Sequence, residues 1–406
     1  MELTPSCCRF IKENSDKNPA DMRLAYAGKK NDEFDYGFAI TQIECRRKFG
    51  KKLAQTLGIC PDFVFPSVLA GEQATSDALA HWHAGLVKEG SIVVDMTAGL
   101  GIDCLHVAER ASRITAVERN ALTADALAYN AGRMEYTNIT VVEGDSVRML
   151  KDGCLCGDVV FIDPARRSQT GGRVYTVSDC EPDVTSLIAY MRQYFSTLIV
   201  KLSPMLDVTE TIRLLPGVKD IYAVGTPAEC KEITAVVALK ENPVSDPCIH
   251  ALTINQDGSV WDMAFTAIAE RSAVMPEACV PQAADFVYEP FPAVMKAGGY
   301  KLFASRSGLR RLHPNTHVYI GKEIILQVQA SVSRIIRVVP WQSKNIKRFR
   351  NEFPSGEVAV RNFGMSAEAL RARLGVKDGG DVRILGVTDS DNRRLLLVLA
   401  KGIGAE

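Results

Sequence analysis

The chain has 406 residues, 47% of them apolar and 24% charged. That composition excludes the disordered and fibrous classes and, at about 100–200 residues per domain, predicts two or three folded units. Lys plus Arg and Asp plus Glu number 48 each, so no global field draws the protein to nucleic acid or membrane, and any such partner must be met by a local patch. No basic-then-apolar leader and no apolar run of about 18 residues occurs, so neither export nor membrane spanning is expected and the cytoplasm is the expected compartment. The cysteines (Cys7, Cys8, Cys45, Cys60, Cys104, Cys154, Cys156, Cys180, Cys230, Cys248 and Cys279) form no CxxC pair and no Cys/His ligand spacing. They are expected to be reduced and mostly buried, and no metal is expected.

In chain order, residues 1 to about 60 mix charged and apolar residues with few turn signals, and Ile40 to Leu57 has helical spacing with a basic side. The prolines of Pro61 to Pro66 predict an extended connection, followed by a helix near Ser67 to Val87. Within it His81-Trp82-His83 reads as an amphipathic helix end, because no acidic or cysteine partner sits at ligand spacing. From Ser91 short β-branched runs alternate with helical stretches: Ile92–Asp95, Ile114–Glu118, Ile139–Glu143, Val159–Asp163, Thr197–Lys201, Ile221–Val224 and Ile233–Leu239. Such runs suit strands buried on both faces, so a doubly wound α/β domain is predicted, its last two strands forming an antiparallel pair.

After Glu241, short strands at Ile249–Ile254 and Val260–Phe265 suggest a small module reaching about Leu326. From Val328 the pattern is α+β: a basic helix near Asn345–Asn351, a strand at Val358–Val360, a helix near Ser366–Leu374 and strands at Val382–Val387 and Arg394–Leu399. The expected division is 1–84 helical, 85–240 catalytic, 241–327 and 328–406 two small α+β modules.

The chemistry concentrates where the runs end. Val93 to Asp103 reads as a buried strand ending in Asp95 and opening through Gly99 and Gly101 into a helix, a turn whose bare backbone lets a nucleoside approach. Glu118 ends the next run about 20 residues on, placed to accept from ribose hydroxyls. Asp145, followed by Ser146, ends the third and is placed to receive an adenine amino group. A dinucleotide would want a third glycine where Leu105 or His106 stands, and Asp95 and Asp103 would repel its phosphates. The set suits a cationic, phosphate-free cofactor.

Asp95 through Asp103, Glu118, Asp145 and Asp163-Pro164 resemble the first four motifs of the class I S-adenosylmethionine-dependent methyltransferases over about 150 residues. The resemblance implies a Rossmann-like domain with S-adenosyl-L-methionine as cofactor. By that likeness Asp95, Gly99 and Gly101 line its methionine half, Glu118 the ribose, and Asp145 with Ser146 the adenine; Thr97, Asp103 and Arg119, within the same motifs, join the cofactor-binding set. Enzymes that methylate an exocyclic amino group carry Asn or Asp, Pro, Pro and an aromatic at the fourth motif, where a carboxylate and a backbone carbonyl orient the amine. Asp163 and Pro164 take the catalytic places, but Ala165 and Arg166 replace the second proline and the aromatic. Arg166 and Arg167 are then either a base-stacking and phosphate-binding pair or solvated loop charges.

The stretch from Asp95 to Asp103, with Glu118-Arg119-Asn120 and Ile199 to Pro204, is also similar to the bacterial small-subunit ribosomal RNA guanine-N2 methyltransferases, and Glu72 to Ser76 resembles the lead-in helix of RNA methyltransferases. Val360 to Phe363, Leu370 to Leu374 and Gly379 to Asp381 resemble the THUMP-like domain fused to methyltransferases in Bacteroidetes, with a ferredoxin-like module around Asp285 to Pro290. That likeness implies RNA as partner. Two basic stretches agree with it, Arg306 to Arg311 and Arg334 to Arg350. Lys344, Lys347 and Arg348 are the candidate phosphate contacts, and Trp341 and Phe349 are either stacking platforms or core. The expected function is methylation of an exocyclic amino group, guanine N2, in structured RNA. The alternatives are a small-molecule or protein methyltransferase, and a non-catalytic RNA-binding protein that retains the cofactor pocket.

Overall fold

The computed structural model describes residues 3–166 and 176–401. They form two compact units, residues 1–219 with 234–244 and residues 220–233 with 245–406. Among these residues no helix is long and apolar enough to cross a membrane.

In the first unit the predicted Ile40–Leu57 helix is two helices, Tyr36–Phe49 and Ala54–Ile59. The second has no local side-chain cap. Its first amides are held from afar by the Asp77 carboxylate, which accepts from Gln55 N at 2.7 Å and Thr56 N at 3.0 Å and so satisfies donors that a helix start leaves unpaired. Ser67–Val87 is likewise split into Val68–Gln73 and Asp77–Gly85, because Ser67 and Ser76 each cap a new start. These helices share one core with the catalytic fold: Phe49, Leu53, Phe63 and Phe65 pack with Leu100, Ile102, Leu105 and Ala126.

The strands are β1 (Ile92–Asp95), β2 (Arg113–Glu118), β3 (Ile139–Glu143), β4 (Val159–Ile162), the two-residue β5 (Ala165–Arg166) and β6 (Cys180–Glu181), then β7 (Thr197–Leu202), β8 (Val218–Gly225) and β9 (Cys230–Ala238). In the first unit the sheet runs β9-β7-β4-β1-β2-β3. The β7-to-β3 part is parallel, with Asp95 beside Ala116 on one side and Phe161 on the other. Chain order reverses between β1 and β4, which opens a crevice at the carboxyl ends of those two strands. β8 and β9 are sheet neighbours closed by a turn in which Thr226 N donates to Glu229 O at 2.8 Å, the hairpin the sequence led us to expect.

The second unit carries β10 (Cys248–Ile254), β11 (Val260–Thr266), β12 (Phe286–Pro290), β13 (Arg310–Arg311), β14 (Tyr319–Gly321), β15 (Ala330–Pro340), β16 (Glu357–Arg361), β17 (Val382–Thr388) and β18 (Arg394–Ala400). β10 lies between β8, to which it is parallel, and β11, to which it is antiparallel. The remaining strands form one sheet, β13-β14-β12-β15-β18-β17-β16. Its core gathers Val287, Leu312, Ile335 and Leu397 around one centre and Phe349, Phe363, Leu370 and Val398 around another.

Candidate active site

The β1-to-helix turn is built on two glycines with positive φ, Gly99 at 53° and Gly101 at 82°. At Gly101 an added Cβ would lie 2.0 Å from Leu127 Cδ1, so that position is fixed by packing. At Gly99 the nearest atom would be 4.0 Å away; the absent side chain leaves open space at the mouth of the crevice. Glu118 holds this turn: Oε2 accepts from Gly99 N at 2.9 Å and Oε1 from Asn120 N at 2.7 Å. Asp145 Oδ1 accepts from Val147 N at 2.9 Å and Arg148 N at 3.2 Å and caps the helix Ser146–Lys151, with Ser146 buried. Arg119 is exposed, with Nη1 3.6 Å from Glu181 Oε1.

Asp95 lies beneath the turn. Its Oδ1 accepts from Thr97 N at 2.9 Å and its Oδ2 from Cys104 Sγ at 3.1 Å. Burial pushes this carboxyl up to about 7, against the opposing pull of the Thr97 amide. Cys104 is pushed well above the usual thiol range by burial and by Asp95 beside it. Thr97 Oγ1 in turn accepts from Asp163 N at 2.7 Å, which fastens the end of β4 to the turn after β1.

Asp163 and Asp103 are joined by Lys201, which is 5% exposed at the end of β7. Lys201 Nζ donates to Asp163 Oδ2 at 2.7 Å, to Asp103 Oδ2 at 3.2 Å and to Thr75 Oγ1 at 2.8 Å. His83 Nδ1 meets Asp103 Oδ1 at 2.7 Å. Burial would raise the Asp103 carboxyl, but the charges of Lys201 and His83 and the hydrogen bonds from His83 and Thr75 outweigh it and hold it well below the carboxylate range. Asp163 remains half-exposed, its side chain 45% accessible, while Pro164 is buried.

Thr75, His83 and Lys201 were not named as site residues, although Thr75 and Lys201 fall in the stretches Glu72 to Ser76 and Ile199 to Pro204 whose likeness to RNA methyltransferases the sequence carries. Lys201 had a signal, since a lysine ending a buried strand must find a counter-charge; His83, within a helix end read as merely amphipathic, had none. Arg166 pairs through its backbone with Cys180 in the β5–β6 ladder, and Arg167 lies outside the described residues. Lys344, Lys347 and Arg348 stand exposed on the helix Ser343–Glu352 of the second unit. Of the two readings of Trp341 and Phe349, Phe349 takes the core one, being 2% exposed, while Trp341 is half-buried and packs edge-on to Phe363 with ring centres 5.2 Å apart. The helix must turn one face to the core, and Phe349 lies on that face.

The geometry can hold a nucleoside-bearing cation. Around the open Gly99 turn stand Asp95, Asp103, Glu118 and Asp145, an acceptor and charge set suited to a sulfonium amino acid and hostile to a pyrophosphate. Comparison with known proteins agrees. A ferredoxin-like domain model matches residues 286–327 and a THUMP domain-like model residues 330–401. A crystal structure of a Porphyromonas gingivalis W83 protein assigned to the methyltransferases superposes with a TM-score of 0.84 at 31% identity, covering 99% of this chain and 98% of that one. An uncharacterised S-adenosylmethionine-dependent methyltransferase of Mycobacterium tuberculosis is 24% identical over 337 residues, 81% of this chain and 86% of that protein. An uncharacterised RNA methyltransferase of Mycoplasma mobile is 32% identical over 75 residues, 18% of this chain and 21% of that protein.

The chain belongs to the class I S-adenosylmethionine-dependent methyltransferases that carry ferredoxin-like and THUMP-like domains in their C-terminal part. It is an enzyme, and its cofactor is S-adenosyl-L-methionine.

Proposed function

We propose that this methyltransferase acts on an exocyclic amino group of structured RNA, guanine N2, and that Asp163 and Pro164 orient that amine. The observation that carries the reading is the Asp163 side chain, anchored through its amide on Thr97 and through Oδ2 on Lys201 yet still half-exposed at the crevice. An aryl amine is a weak nucleophile whose lone pair is delocalised into its ring, so it needs hydrogen-bond acceptors that turn the lone pair toward the methyl donor. Asp163 Oδ1 and the Pro164 carbonyl are those acceptors. The cofactor supplies an electrophilic methyl on a sulfonium.

The chain's own residues hold that cofactor and steer the amine. Asp95, Thr97, Gly99, Gly101 and Asp103 form the methionine side of the pocket, Glu118 with Arg119 the ribose side, and Asp145 with Ser146 the adenine side. Glu118 accepts two backbone amides and keeps lone pairs for hydroxyl donors. Asp163 would accept the proton that the amine releases on methylation. Arg166 and Arg167, just past the acceptor, suit a base or phosphate, and Lys344, Lys347 and Arg348 suit the RNA backbone. The THUMP domain-like match and the RNA methyltransferase relative support RNA over a small molecule or a protein. A paired target base would have to leave its stack.

Asp163→Ala tests the reading. S-adenosylmethionine affinity by calorimetry is expected to stay within about twofold, while methyl transfer to RNA falls on the order of 10²–10³-fold. Full turnover in this variant removes Asp163 from the chemistry.

A further inference from the structure

The second unit gathers a side-chain cluster that the methyl-transfer site does not use. Cys248 and His250 project from the same face of β10, two residues apart. Asp220 of β8 is the register partner of Cys248. On the other side, β11 places Asp262 two residues from Ala264, the register partner of His250. Sheet pairing therefore brings together a thiol, an imidazole and carboxylates from three strands.

One ligand atom each from Asp220, Cys248 and His250 lies within 4.8 Å of the others. His250 Nδ1 meets Asp262 Oδ2 at 2.7 Å, a hydrogen bond that keeps the proton on Nδ1 and turns the Nε2 lone pair toward Asp220 and Cys248. Nε2 is buried and makes no hydrogen bond among the described residues, although Asp220 Oδ1 is only 3.5 Å away. With its proton on Nδ1, Nε2 offers a lone pair beside a partly exposed carboxylate, and two such acceptors at that spacing can share a cation. Tyr222 stacks on the His250 ring at 4.2 Å and walls one side.

We propose that Asp220, Cys248 and His250 bind a divalent transition-metal ion of the zinc class, with Asp262 orienting His250. A sulfur, a nitrogen and an oxygen ligand are the set zinc takes in tetrahedral sites. Bonds of about 2.0–2.3 Å place such ligands about 3.4–3.8 Å apart, a spacing that Nε2 and Asp220 Oδ1 already have at 3.5 Å and that every pair lies within about 1 Å of. The fourth position is left to water. The ion cross-links β8 to β10, so its first effect is on the stability of the second unit. The site owes nothing to the methyl-transfer reading and stands or falls without it.

The test uses the full chain, stripped with a chelator and dialysed against Zn²⁺. Metal analysis is expected to find about one ion more per chain than in Cys248→Ser or His250→Ala, a subtraction that removes adventitious thiol binding. Co²⁺ in place of Zn²⁺ is expected to give a thiolate charge-transfer band that Cys248→Ser abolishes. Asp262→Asn, a half-exposed position, is expected to fold and to weaken zinc affinity about 10–100-fold, which keeps the test open if the ligand variants do not fold. Wild-type protein without stoichiometric zinc, or a cobalt band unchanged in Cys248→Ser, overturns the assignment and leaves His250 as an imidazolium between two carboxylates.

Discussion

Two aspartates less than a helical turn's reach from the cofactor turn are held in opposite protonation regimes. Asp95, buried with its oxygens accepting from an amide and a thiol, is pushed up by burial to about 7. Asp103, slightly more accessible, is held down by Lys201 and His83. Linkage fixes the sign of each contribution. Between the unfolded value near 3.8 and the folded value of about 7, the folded chain keeps the Asp95 proton that the unfolded chain has lost, so this group lowers stability as pH rises through that interval. Asp103 does the reverse: its contribution is present above the unfolded carboxylate value and is lost as pH falls. Asp95→Asn is therefore expected to flatten the decline in stability between about pH 4 and pH 7, and Asp103→Asn to flatten the loss on acidification, both measured by urea unfolding across pH. An Asp95→Asn curve parallel to wild type would contradict the assignment. The acidic strand ends were legible in the sequence, because a carboxylate closing a buried run has few structural reasons to be there. Their differing protonation was not, because it depends on His83 and Lys201, 20 and 98 residues away from Asp103.

At the scale of elements, the turn after β1 is tied to the rest of the sheet by a few side chains, and each tie has a cost if cut. Gly101 combines a left-handed conformation with contact against Leu127, so Gly101→Ala is expected to lower stability by about 1–3 kcal/mol in thermal unfolding. Lys201→Met removes the cation shared by Asp163 and Asp103 and leaves Asp103 buried beside a lost partner. Unfolding in denaturant is expected to show a loss of about 3–5 kcal/mol, and a change below about 1 kcal/mol would mean the network is not what holds β7 to the turn. On the helix Ser343–Glu352, replacing Lys344, Lys347 and Arg348 together by Ala is expected to weaken RNA binding. The slope of log affinity against log salt should fall by about 2–3, with cofactor binding unmoved. The central strands β1 to β4 and β7 were legible to within a residue at each end, since a β-branched run between two polar boundaries has one reading in a covered sheet. The helix break near residue 50 was not, because Asp77 caps Ala54–Ile59 across more than 20 residues of chain.

At the scale of the whole molecule, the catalytic fold and the modules after it were readable as a class, from motif spacing and from the α+β alternation beyond Val328. The N-terminal helices were read as a module apart, whereas Phe49, Leu53, Phe63 and Phe65 share their core with Leu100 and Ile102 of the cofactor turn and its helix. Periodicity marks a buried face without saying which element it will meet. The Asp220–Cys248–His250 group escaped notice for a related reason: its ligand spacing is written in sheet register and not in the chain. The most direct measurement for the central reading is transfer of labelled methyl from S-adenosylmethionine to RNA purified from a strain lacking this protein, followed by nucleoside analysis. The account predicts label in N2-methylguanosine, formed on the order of 10²–10³-fold more slowly with Asp163→Ala; label absent from RNA, with the cofactor demonstrably bound, would contradict it.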